Sequence, residues 1–284
     1  MLESPRNAVI TGAARGIGRA IAVRLAADGC NVVVNDLPVN QELLDTLVNE
    51  IESSERKAVS FAGDVTVEET VDALVEKCVA TYGSLDIMIC NAGNCWVKPM
   101  LDCTLEDMQG LFDTNFRSVW LGYQCAARQM IKQGTGGRII GSGFIHIILV
   151  LDFLIYGYPL MSVYSASKFA IRGLTQAADT PTPTTQEWGP QRITVNTCCP
   201  GMIELGKSLA LAAGFVDIEP ANVWASMAAL KRIGDTKDLV GFVSYLASEE
   251  SGVTGQSRPS QKVSQIYSCN RFSGSASLPS GCVE

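Results

Sequence analysis

The feature that most constrains this chain is the alternation of short, wholly apolar runs with stretches whose apolar residues recur at helical spacing. The apolar runs are "NAVITG" (7–12), "NVVVND" (31–36), "KAVSFAGDV" (57–65), "LDIMICNAG" (85–93), "GRIIGSG" (137–143) and "RITVNTCCPG" (192–201). Between them lie "GIGRAIAVRLAADG" (16–29), a polar helical stretch at 40–54, "TVEETVDALVEKCVATYG" (66–83), a long one over about 105–133, and a helix starting near Ser162. Strands that are apolar throughout are covered on both faces, which is the condition of a parallel sheet between helices. The expected fold class is therefore α/β: a doubly wound parallel sheet in three α/β/α layers. Thr66 followed by Glu69 has the spacing of a capping box and predicts where the 66–83 helix starts.

At 284 residues the chain can bury one sizeable core. No linker or repeat divides it, so a single domain is expected over 1–257, with a Ser-rich, partly disordered tail over 258–284. A net charge of −7 offers no basic face to nucleic acid or to an anionic membrane. The opening "MLESPRNAVITGAARG" has no charged n-region with an apolar h-region, so a cytoplasmic location is expected. The ten cysteines form no CxxC pair and His146 is the single histidine, which removes zinc-ligand spacing; no metal is expected. Because His146 sits inside an apolar run, Ser-His-Asp and Cys-His catalysis are also excluded.

"TGAARGIG" (11–18) joins the first apolar run to the first helix. Gly12, Gly16 and Gly18, with Arg15 and Ile17 between them, would let the backbone approach a pyrophosphate at the helix N-terminus. Alone, such a motif is also a tight strand–helix turn. In a full βαβ context it reads as nucleotide binding, and the sheet as Rossmann-type. Asp36 closes the second run, where a carboxylate can accept bonds from the adenosine ribose and would repel a 2′-phosphate. It favours NAD over NADP; Arg15 pulls the other way.

Thr11-Gly12-x-x-x-Gly16-x-Gly18, Asn91-Ala92-Gly93, Asn115, Tyr164-x-x-x-Lys168 and Pro200-Gly201 occur in this order. Over roughly residues 5 to 255 the chain resembles a classical short-chain dehydrogenase/reductase, and "AARQMIKQGTGGRII" and "VYSASKFAIRGLTQAA" resemble the acetoin/diacetyl reductase-like and polyol dehydrogenase branch. The resemblance implies that Asp64 and Val65 meet the adenine ring and that Asn91, Ala92 and Gly93 lie beside its ribose. Pro200, Gly201 and Ile203 would stand at the nicotinamide end. Tyr164 and Lys168 share a helix face. Tyr164 would move the proton, its pKa lowered by the Lys168 ammonium and the oxidised nicotinamide, while Lys168 also bonds the nicotinamide ribose. Asn115 would organise a water path to Lys168, and Ser142 would polarise the substrate oxygen.

The chain departs from that pattern in four places. Ser142 stands 22 positions before Tyr164, about nine more than the family has, and Gly143 and Phe144 break the usual Ser-Ser pair. Pro181 and Pro183 should stop the Ser162 helix near Asp179. Because that helix normally packs in the dimer face, the homodimer or homotetramer implied by the resemblance depends on these insertions. Leu205 stands where the family has Thr. Beyond residue 255 the family's seventh strand is missing, and "KVSQIY" (262–267) is its candidate replacement. Phe144 to Met161 has the length of a short transmembrane span, but Asp152 and His146 weigh against one; a flap beside the cleft, or coding sequence foreign to the family, are the other readings. The expected function is NAD(H)-linked oxidoreduction of a small secondary alcohol or ketone. The alternative is a catalytically impaired homologue that keeps the fold and nucleotide binding.

Overall fold

The six apolar runs pair into one sheet in the order β3-β2-β1-β4-β5-β6, with every neighbouring pair parallel. Its strands are β1 (Asn7–Thr11), β2 (Asn31–Asp36), β3 (Ala58–Ala62), β4 (Ile87–Cys90), β5 (Gly137–Ser142) and β6 (Ile193–Cys198). The helices are α1 (Gly16–Ala27), α2 (Gln41–Glu52), α3 (Glu68–Tyr82), α4 (Leu105–Phe112), α5 (Ser118–Gln133), α6 (Ser162–Asp179) and α7 (Thr236–Ala247). This is a computed structural model, and it describes residues 5–143, 160–179, 188–200, 203 and 231–252.

Side-chain alternation along the strands builds the two helical layers. Ala8 and Ile10 of β1 face one core with Leu25 of α1, Leu44 of α2 and Val243 of α7. Val9, between them, faces the other with Leu74 of α3, Met130 of α5 and Ile171 of α6. The strand order reverses between β1 and β4, so the loops leaving their C-terminal ends diverge to opposite faces. The crevice that results is where open α/β sheets take their ligands.

The strands stop short of the apolar runs: β3 ends at Ala62, β4 at Cys90 and β6 at Cys198. The capping box expected at Thr66 and Glu69 does not form. The Thr66 amide instead donates to Asp64 Oδ1 at 2.9 Å and the Val67 amide to the Asp64 carbonyl at 3.1 Å, so Asp64 turns the chain and α3 starts later, at Glu68. Capping boxes form before α4, with Thr104 and Asp107, and before α7, with Asp235 and Asp238. The long 105–133 stretch is interrupted by a π turn, Asp113–Arg117. Helix α6 ends at Asp179, as Pro181 and Pro183 require. Among the described residues no helix is long and apolar enough to cross a membrane. The apolar 144–159 stretch, Leu205, "KVSQIY" and the tail lie outside the described residues, as does any flap.

Candidate active site

The loop after β1 is tightly built. Gly12 and Gly16 have φ of 64° and 59°, which a side chain would strain. A Cβ on Gly18 would lie 2.2 Å from the Gly12 carbonyl oxygen and 2.5 Å from Asn91 Nδ2. Only a glycine therefore lets α1 pack this closely on the Gly12 carbonyl and the Asn91 side chain. Arg15, at the N-cap, is exposed, and Ile17 is half-buried behind it. Asp36 accepts from the amides of Ala14 at 3.0 Å and Leu37 at 2.9 Å and from Asn40 Nδ2 at 2.7 Å. Those bonds hold the carboxylate at the loop's edge; with about four acceptor positions, it has room for one more donor.

Thr11 Oγ1 joins this loop to β4 by accepting the Asn91 and Ala92 amides, each at 3.0 Å. Asn91 Nδ2 donates to the carbonyls of Thr11 at 3.0 Å and Gly12 at 3.1 Å. The Asn91 side chain therefore faces the loop after β1. Asp64 is exposed and Val65 is buried beside it.

Tyr164 and Lys168 rise from one face of α6, and both are buried. Lys168 Nζ lies 5.8 Å from the centre of the Tyr164 ring and donates to the Ser142 carbonyl oxygen at 2.9 Å. A Cβ on Gly93 would come within 3.4 Å of that Nζ and 3.2 Å of Asn115 Oδ1. Asn115 is fully buried in the π turn, a geometry that recurs at functional sites. Its Oδ1 accepts the Asn94 amide at 2.7 Å; its Nδ2 donates to the Asn94 carbonyl at 3.0 Å and to Ser167 Oγ at 3.1 Å. Ser167 Oγ donates in turn to the Tyr164 carbonyl at 2.7 Å. Asn115 thus ties the β4 loop to the helix that carries the tyrosine.

The electrostatics differ from the sequence expectation. Burial pushes the Lys168 ammonium down to about 8. Burial, followed by the thiols of Cys95 and Cys199, pushes the Tyr164 phenol up rather than down. Burial thus shifts both groups towards their neutral forms, although Lys168 stays mostly protonated at pH 7.

The Ser142 carbonyl accepts from Lys168 Nζ, and the residue lines a pocket with Ile17, Ile89, Asn91, Ile140 and Pro200. Ile203 is buried and bridges to Gly234, while Gly201 lies outside the described residues. Sequence reasoning missed Thr11, Asn94 and Ser167 as connectors. Thr11 and Ser167 lie inside or beside quoted motifs, so their position was the available signal. Among the described residues no group of three or more His, Cys, Asp or Glu could hold a metal ion.

A parallel sheet whose Gly-rich loop opens at the strand-order switch point is the architecture of nucleotide-binding α/β proteins. The chain belongs to the short-chain dehydrogenase family, whose model, described as short chain dehydrogenase, matches residues 6–210. It is 38% identical over 256 residues to L-2,3-butanediol dehydrogenase of Corynebacterium glutamicum, covering 88% of this chain and 94% of that one. It is 34% identical over 268 residues to diacetyl reductase [(S)-acetoin forming] of Staphylococcus epidermidis, covering 89% and 95%. The crystal structure of a short chain dehydrogenase from Burkholderia cenocepacia in complex with NADP superposes with a TM-score of 0.74 at 30% identity, over 88% of this chain and 94% of that one. The chain is accordingly an oxidoreductase acting on CH–OH groups, similar to the acetoin/diacetyl reductase branch.

Proposed function

We propose that this protein interconverts a small, uncharged secondary alcohol and its ketone with NAD(H). The observation that carries the reading is the burial of Tyr164 and Lys168 together beside Gly93 and Asn115, at the C-terminal end of the sheet. The site fits a dinucleotide. Gly12, Gly16 and Gly18 leave the backbone bare at the start of α1, and a side chain at Gly93 would crowd Asn115 Oδ1 and Lys168 Nζ. Asp36, Asp64 and Val65 would hold the adenosine end, with Asn91, Ala92 and Gly93 along its edge. Lys168, Pro200, Gly201 and Ile203 would hold the other end. A bound nicotinamide supplies or accepts the hydride.

Tyr164 Oη gives its proton to the substrate oxygen in reduction and takes it back in oxidation. Burial keeps the phenol protonated, the form that reduction needs. Lys168, pushed down to about 8, can exchange a proton near neutral pH, and its ammonium form favours the phenolate that oxidation needs. Asn115 keeps the β4 loop and α6 in register. Ser142 anchors Lys168 through its carbonyl.

Support for a small neutral substrate comes from the relatives named for a butanediol and for diacetyl. Asp36 supports NAD over NADP, although the Burkholderia relative is in complex with NADP. The exposed apolar residues Leu105, Met108 and Trp120 on α4 and α5 support a homo-oligomer.

The test is to follow NADH oxidation with diacetyl and simple ketones in the wild type and in Tyr164→Phe. The variant should lose at least about a hundredfold in kcat while cofactor affinity stays within a few fold. Nucleotide binding by the wild type without turnover of any ketone would instead support the impaired homologue.

A further inference from the structure

We infer that Ser167 is a positioning residue for the reaction: its hydroxyl sets which way the Asn115 amide points and so holds Tyr164 in place against the loop after β4. The inference rests on the function proposed above and adds to it a residue that acts through others. Ser167 and Asn115 are both fully buried, so bulk water cannot stand in for a bond that either loses. The Ser167 hydroxyl has one hydrogen, which it gives to the Tyr164 carbonyl, three residues back on α6, at 2.7 Å. Towards Asn115 its oxygen can then only accept, and it accepts Nδ2 at 3.1 Å. The amide is constrained from its other side as well: Oδ1 accepts the Asn94 amide at 2.7 Å, and Nδ2 donates to the Asn94 carbonyl at 3.0 Å. Both amide hydrogens are spent on protein acceptors, so the Asn115 side chain has no donor left for a water or a substrate. In this geometry it is a bridge, and Ser167 is the end of the bridge that stands on α6.

The bridge holds the meeting of two elements. On one side Asn94 follows Gly93, where a Cβ would come within 3.4 Å of Lys168 Nζ and 3.2 Å of Asn115 Oδ1. On the other, Ser167 lies between Tyr164 and Lys168 in the chain and grips the Tyr164 carbonyl. Without the Ser167 oxygen one buried N–H of Asn115 is unmet, which is costly. The amide then turns, or the π turn Asp113–Arg117 that carries it shifts. Either change weakens the bonds to Asn94 and loosens Gly93 against Lys168. Proton transfer from Tyr164 demands closer placement than binding does, so the loss is read in kcat before it is read in affinity.

The experiment is steady-state kinetics of the purified full chain, with NADH and diacetyl and with NAD and 2,3-butanediol, for the wild type, Ser167→Ala and Ser167→Cys. The alanine removes the oxygen. The cysteine fills the same space with a weak hydrogen-bonding group, so it separates bonding from packing and serves where the alanine does not fold. Both variants should lose about ten- to a hundredfold in kcat, with KM for diacetyl within about threefold of wild type. In the oxidation direction the pH midpoint of kcat should move upward, because a displaced phenol meets the Lys168 ammonium less well; the Cys95 and Cys199 thiols act on this pair in every variant. A merely structural role would lower the melting temperature and leave that midpoint where it was. In an Asn115→Ala background, Ser167→Ala should cost less than about threefold more in kcat, since the bridge is already gone. Wild-type kcat with an unmoved midpoint in a folded Ser167 variant, or an undiminished loss in the Asn115→Ala background, overturns the inference and leaves the proposed function standing. Failure of the wild type to turn over either substrate overturns the proposed function together with the inference.

Discussion

Lys168 Nζ lies 2.9 Å from the carbonyl oxygen of Ser142, so the link between α6 and the end of β5 runs through the main chain of Ser142. Replacing its side chain should then matter little. Ser142→Ala keeps the carbonyl and should retain kcat/KM within about threefold. A loss of the size seen when a polarising donor is removed, about a hundredfold or more, would show that the hydroxyl also polarises the substrate oxygen. Steady-state kinetics with NADH and diacetyl decides between the two.

The buried ammonium of Lys168 has a consequence for stability. Its pKa falls from 10.5 to about 8 because burial penalises the charged form. Between those values the unfolded chain holds the proton that the folded chain has released, so this group's contribution to stability rises with pH. At pH 7 the penalty is in full force, on the order of 3 kcal/mol by the usual conversion. Lys168→Met removes that penalty and gives up one hydrogen bond of about 1 kcal/mol. The variant should be inactive, yet melt several degrees above wild type at pH 7, and the gap should close towards pH 10. Removing the ammonium also raises the Cys95 thiol, which Lys168 now lowers, so the comparison is read below the range in which thiols titrate as well as above it. A gap that stays constant across pH would show that Lys168 is not desolvated as described.

Much of this fold can be read from residue pattern because the physics is local. Ala8, Val9 and Ile10 need apolar neighbours on both sides, and that requirement alone implies a covered parallel sheet. Tyr164 and Lys168 meet because four residues separate them on a helix. What escaped the sequence depends on the main chain or on competition between neighbours. That Lys168 reaches the carbonyl of Ser142 could not be read from a pattern of side chains, which does not show which main-chain oxygen a buried lysine meets. Thr66 lost its cap role because Asp64, two residues earlier, captured its amide. The π turn that carries Asn115 leaves the apolar pattern of the 105–133 stretch nearly unchanged, so nothing in the spacing announced it.

The Asp36 carboxylate is fixed at the edge of the loop after β1, since it accepts the Ala14 and Leu37 amides and Asn40 Nδ2. In the function proposed above, that charge would disfavour a 2′-phosphate. Wild type should prefer NADH over NADPH, and Asp36→Asn should narrow the ratio of their KM values by about tenfold, as expected for removal of one charge repulsion of about 1.4 kcal/mol. The asparagine keeps an acceptor for the loop amides; Asp36→Ala should lose stability as well, by about 1–3 kcal/mol for the donors left unmet. Tighter binding of NADPH by the wild type would mean that Arg15 governs the choice.

The last prediction concerns what holds Ser142 at its height. Gly141 and Gly143 flank it and face the α5–α6 layer, where the room for their side chains is already taken. A Cβ on Gly141 would lie 2.3 Å from Tyr123 Oη, and one on Gly143 would lie 2.3 Å from Thr197 Cγ2 and 2.7 Å from Cys199 Sγ. Tyr123 Oη shares a hydrogen bond of 2.9 Å with Thr175 Oγ1, and Thr197 Oγ1 donates to that same oxygen at 2.5 Å. The three hydroxyls form a buried support beneath the strand end. Gly141→Ala should therefore cost about 1–3 kcal/mol through overpacking and lower kcat by shifting the carbonyl that anchors Lys168. Tyr123→Phe removes the colliding oxygen at a cost of about 1 kcal/mol, and Thr175 keeps its bond to the Ile171 carbonyl at 2.9 Å. In the double variant the two losses should be less than additive by about 1 kcal/mol, with part of kcat restored. Denaturant melts of the four proteins measure the coupling. Simple additivity would show that Tyr123 does not set the position of Gly141, and that Ser142 is held by something else.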